Sequence, residues 1–213
     1  MRKITVVLIT LGYSLCIGGA SAQLVSVGVK GGVSITDAGR YNDVSRRYIV
    51  GPSVEFRLPF RFAAEIDALY TRVGYSYRLL YPGELTGTPG ATIDVRTRQR
   101  GNSWEFPVLG KYYFTSREHA VQPFVGTGYT LSTTWFHSDV QTSTLSGTPI
   151  TNPQPDLSSS YRTPFDVGVV VAAGVRVKAG RFSVLPEVRY THWGPNAAAV
   201  RKNQAKFLLG VSF

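Results

Sequence analysis

Charged side chains in this sequence recur at even spacing inside otherwise apolar stretches. Glu55 and Arg57 stand in "SVEFRL", Glu65 and Asp67 in "AAEIDA", and Glu187 and Arg189 in "PEVRYT". A two-residue spacing puts such side chains on one face of a strand. Lys30, Glu105, Lys111, Asp166, Arg176 and Lys206 occupy equivalent positions in their own stretches, so the set holds six cations and six anions. If these faces share one interior, the signs balance, and the chemistry is ion pairing rather than turnover. Leaving one partner of a buried pair uncompensated costs about 3–5 kcal/mol. We therefore expect a ladder of ion pairs and hydrogen bonds that fills a bore.

Nucleophilic chemistry has fewer candidates. His137 and His192 lie near the ends of alternating stretches, with Asp139 and several serines close by in sequence, which are the parts of a nucleophile and its base. His119 falls in a short polar turn and reads as solvated. No metal-ligand spacing occurs, and the glycines sit at strand periodicity rather than opening a helix. Neither a catalytic residue, a metal nor a cofactor is assigned.

The elements that position these groups show alternation of apolar with small or polar residues. Eight segments carry it: Val25 to Ile35, Tyr48 to Leu58, Phe60 to Tyr70, Trp104 to Phe114, Val121 to Trp135, Phe165 to Lys178, Phe182 to Thr191, and Gln204 to Phe213. After Tyr70 the apolar phase shifts to Val73, Tyr75 and Tyr77, which predicts a bulge or an exposed extension. A soluble sandwich also alternates, but its polar faces are bulky and charged. Here they are mostly Gly, Ser and Ala, which suits the narrow interior of an eight-stranded barrel.

The connections alternate long and short from the first, "TDAGRYNDVSRR", and second, "LPF", to the last, "GPNAAAVRKN". That order is expected of an outer-membrane barrel, with short periplasmic turns and longer outer loops. The segments 79–103 and 136–163 read as long loops, the second Ser/Thr/Pro-rich and mobile. With this orientation Trp104, Trp135 and Trp193 form an outer aromatic belt. Phe60, Phe62, Phe114, Phe124, Phe182 and Phe213 form an inner one. The last strand must pair with the first, because lipid offers no partner for an open edge.

Residues 1–22 have a basic start at Arg2 and Lys3, an apolar stretch, and small residues Ala20-Ser21-Ala22, the pattern of a secretory signal cleaved after Ala22. The single cysteine, Cys16, lies inside it, so removing 22 of the 213 residues leaves 191 without thiol chemistry. Residues 23–213 read as one barrel domain. Arg40, Arg46, Arg47, Arg96, Arg98, Arg100, Arg201 and Lys202 on the outer side are expected to be solvated, with lipopolysaccharide phosphates as the partner they would meet. A barrel in that membrane does not routinely encounter nucleic acid.

The stretches "VGVKGGVSIT", "WEFPVLGKYYF" and "FLLGVSF", in this order across 23–213, resemble bacterial eight-stranded outer-membrane barrels of the OmpA-like and PorT-like type. The resemblance implies a monomer in the bacterial outer membrane with a structural or surface-interaction role. It also implies that Phe207, Leu209, Val211 and Phe213 present the aromatic signature read by the barrel-insertion machinery. A small-solute porin is the alternative, followed by a lipid A-modifying enzyme. The lipid A deacylase family carries a serine two residues after its histidine, whereas "HWGPN" has Gly194 there.

Overall fold

The computed structural model describes residues 24–35, 42–43, 48–82, 92–145, 148–149, 159–194 and 202–213. The expected signal, and Arg40, Arg46, Arg47 and Arg201, lie outside them. Eight antiparallel strands form the barrel. We label them β1 (Val25–Ser34), β2 (Tyr48–Arg57), β3 (Phe62–Asp67 and, beyond Ala68, Leu69–Pro82), β4 (Thr92–Tyr113), β5 (Val121–Leu145), β6 (Asp166–Ala179), β7 (Phe182–Trp193) and β8 (Asn203–Ser212).

Each strand pairs with its neighbours in sequence, and β1 pairs with β8 from Gly28↔Ser212 to Ser34↔Lys206. The ring is thus closed, and neither terminal strand presents an open edge to the bilayer.

Period-2 patterning maps onto two faces. Val27, Val29, Ile66, Phe106, Val108, Val167, Val169, Val171, Val188, Phe207 and Leu209 point outward and are exposed on the isolated chain, while the charged set points inward. Phe213 is also outward, and its amide donates to the Val27 carbonyl (2.9 Å). From Phe62 to Tyr70 the outward face of β3 carries only apolar or aromatic residues, a span that fits the roughly 9–11 residues needed to cross.

The short turns are braced. Leu58 donates to the Phe62 carbonyl (2.9 Å) around a turn in which Phe60 and Arg61 both have positive φ, 56° and 67°. Gly180, at φ 66°, turns β6 into β7. Arg117 donates to the Leu58 carbonyl (2.7 Å) and Arg61 to that of Phe114 (3.1 Å), tying neighbouring turns together.

Two expectations for the long connections are corrected. Segment 79–103 is mostly strand, because β3 runs on to Pro82 and pairs with β4 in unbroken register to Thr92. In segment 136–163, β5 continues to Leu145 and Ser159–Arg162 pairs with it. The Ser, Thr and Arg residues there lengthen the sheet rather than leaving it, since Thr and other β-branched side chains suit strands. The phase shift after Tyr70 marks this extension. The register irregularity lies elsewhere, between Arg96 and Thr97 against β5.

Candidate functional site in the bore and at the outer rim

The bore is filled by a connected set of ion pairs. Lys30 on β1 contacts Glu65 (2.5 Å), Glu187 (3.0 Å) and Asp67 (3.5 Å). Lys111 on β4 contacts Glu65 (2.6 Å), Glu55 and Glu187 (both 3.7 Å). Arg189 on β7 pairs with Asp67 (2.6 Å), Glu65 (2.8 Å) and Glu187. Arg176 on β6 reaches Glu55 (2.9 Å), to which the Tyr113 hydroxyl also donates (2.8 Å).

These four cations and four carboxylates are all buried. In an eight-membered ring β3 and β7 lie opposite one another, so the contacts of Arg189 with Glu65 and Asp67 bridge the full width of the bore.

The remaining members of the expected set sit around this cluster. Arg57 approaches Glu55 at 3.6 Å from the inner end and is partly exposed. Lys206 pairs with Glu105 nearer the outer end. Asp166 is buried higher on β6.

Sequence reasoning missed the apolar content of the bore. Ile49, Leu69 and Leu208 form one cluster, Ala63, Tyr113 and Phe124 a second, and Leu109, Val170 and Ala172 a third. Phe124 does not join the inner belt, because its ring is inside and under the Lys111 ammonium at 4.2 Å.

Trp193 likewise does not face lipid. It is 1% exposed, donates from Nε1 to Gln204 (3.2 Å), and lies under Lys206 at 6.0 Å. Parity was the available signal: Trp193 is in phase with Glu187 and Arg189, and Phe124 with Gln122.

The other two belt residues do face outward. Trp104 packs on Tyr70 (5.3 Å between centroids) and stacks with Phe106 (6.4 Å), and Trp135 is 45% exposed. His192 Nδ1 meets Asn203 (2.7 Å), His137 Nδ1 meets Ser160 (2.8 Å), and His119 meets Ser116 (2.8 Å). Among the described residues no group of His, Cys, Asp and Glu could hold a metal ion.

The outward apolar face, the charged bore and the closed ring agree with a sequence match over residues 21–194 to the family described as outer membrane protein beta-barrel domain. The chain belongs to that family. This outer-membrane barrel is accordingly a bacterial outer-membrane protein.

Its fold is similar to several solved barrels. The N-terminal barrel domain of Pseudomonas aeruginosa OprF is 11% identical, with 90% of this chain and 98% of that one covered and a TM-score of 0.47. Ail, the attachment invasion locus protein of Yersinia pestis, is 10% identical, with 88% and 94% covered and a TM-score of 0.44. Neisserial surface protein A is 16% identical over the same shares, with a TM-score of 0.43. No curated protein matches the sequence.

Proposed function

We propose that this protein is a closed, non-catalytic scaffold of the outer membrane, with a structural or surface-interaction role carried by the part beyond the bilayer. The carrying observation is the bridge from Arg189 on β7 to Glu65 and Asp67 on β3. A solute would have to displace buried ion pairs whose disruption costs about 3–5 kcal/mol each. Phe124 and Trp193 are buried against Lys111 and Lys206, which also supports filling rather than passage.

In this reading the chain is exported by a signal cleaved after Ala22 and acts as a monomer in contact with outer-membrane lipid and lipopolysaccharide. Phe207, Leu209, Val211 and Phe213 present the barrel-assembly signal, and their outward position on β8 is compatible with recognition of that edge before closure.

Single-channel recording on the purified monomer in a planar bilayer tests the scaffold against the porin. The expected result is no stable conductance level. Reproducible steps of one size in the wild-type protein would overturn the reading.

A further inference from the structure

The outward face of β3, β4 and β5 and of segment Ser159–Arg162 changes chemistry within one row of residues. Tyr70 and Trp104 stand opposite one another in the aromatic row. The next row outward is Arg72, Asn102, Trp135 and Arg162, aligned across the four segments, and the row after it brings Arg100, His137 and Ser160 together. Arg72, Arg100, Trp135, His137, Ser160 and Arg162 line an open cleft of about 510 Å³.

Arg162 is fixed within the cleft: its Nε donates to Thr133 Oγ1 (3.0 Å), and its guanidinium lies over the rings of Trp135 (4.7 Å) and Phe165 (5.0 Å). Arg72 and Arg100 are exposed.

Aromatic rings settle at the interface of the bilayer. Groups one row beyond them therefore stand at the level of lipid phosphates. Guanidinium forks match phosphate oxygens in bidentate geometry, and stacking fixes the fork in advance. Beyond Tyr190 the described outward residues of β7 and β8 are His192 and Asn203, so no arginine stands at this level among the described residues there.

We propose that this cleft is a binding site for the phosphate of an outer-leaflet glycolipid, with Arg72, Arg100 and Arg162 as its ligands and Trp135 as the platform beneath the sugar. The inference rests on the placement of this rim in the outer leaflet and deepens the proposed lipopolysaccharide contact. It does not depend on whether the bore conducts.

The test uses the full mature barrel folded in detergent. Binding of lipopolysaccharide with intact lipid A phosphates is measured beside the same lipopolysaccharide after phosphatase treatment, and inorganic pyrophosphate alone is the third probe. Wild-type protein is expected to prefer the phosphorylated lipid. Arg72→Gln, Arg100→Gln and Arg162→Gln should each weaken it on the order of tenfold, as loss of one charge-assisted contact implies. Arg181→Gln, in an inner turn, should leave it unchanged.

These positions are at the surface, so closed-barrel circular dichroism is expected to be kept, which separates loss of binding from loss of fold. Equal binding of the dephosphorylated lipid, unchanged binding by the variants, or binding of pyrophosphate as tight as that of the lipid would overturn the proposal. Conductance measured on the same preparations addresses the scaffold reading separately.

Discussion

Glu65 is 1% exposed and touches Lys30, Lys111 and Arg189, so one carboxylate compensates three ammonium or guanidinium groups that have left water. Glu65→Ala is therefore expected to lower the unfolding free energy by about 3–5 kcal/mol. Urea titration of the barrel in lipid vesicles, followed by tryptophan fluorescence, checks this, and a change below about 1 kcal/mol would remove the network from the list of forces that hold the barrel. Lys206 and Glu105 permit a complementary test, because they pair near the outer end with the Lys206 ammonium also over Trp193. Lys206→Met and Glu105→Leu are each expected to destabilise, while the double variant recovers most of the loss, since replacing a buried pair by apolar groups is often neutral. A strictly additive cycle would show that the two groups do not act as a pair.

At the scale of elements, close approach of β2 to β3 sets which residues are allowed. A Cβ built on Gly51 would lie 1.9 Å from the Ala68 carbonyl oxygen, at the residue that separates the two parts of β3. Gly51→Ala must push the strands apart, and we expect a loss of at least the ~1–3 kcal/mol typical of overpacking, or failure to fold. Gly110 on β4 faces outward, with only the Thr127 carbonyl oxygen at 3.8 Å, so Gly110→Ala should be neutral or slightly stabilising. Refolding yield and urea midpoints of the two variants compare them directly, and equal behaviour would contradict the close-approach argument. The extension of β3, β4 and β5 beyond the aromatic row also belongs to this scale. It carries Arg72 and Arg100 on a paired sheet rather than on independent loops, which fixes their spacing.

For the whole molecule, closure of β1 on β8 joins the sheet into one ring with its short turns at one end and its extensions at the other. Orientation follows from the positions of those ends. Because Cys16 lies in the segment read as a cleaved signal, single cysteines report cleanly. Lys202→Cys, at the extended end, should react with a membrane-impermeant maleimide on intact cells. Arg181→Cys, in the β6–β7 turn, should react only after the outer membrane is permeabilised. The reverse pattern would invert the barrel.

The number of strands, the faces they present and the alternation of connections were legible in the sequence, because a two-residue period and turn residues are local properties. The same parity puts the twelve charged residues on one set of strand faces, and ten of them are buried. Parity alone puts Trp193 and Phe124 inside, whereas aromatic type alone points to the belts, and an aromatic ring suits a packed bore as well as a lipid interface. Which cation meets which carboxylate was not legible. Arg189 and Glu65 are 124 positions apart and become neighbours only because eight tilted strands close into a ring narrow enough for side chains on opposite walls to touch. Nor did local pattern show where the strands end beyond the bilayer, since Ser, Thr and Arg fit a solvated strand and a loop alike. Only pairing with the next strand supplies the hydrogen bonds that decide between them.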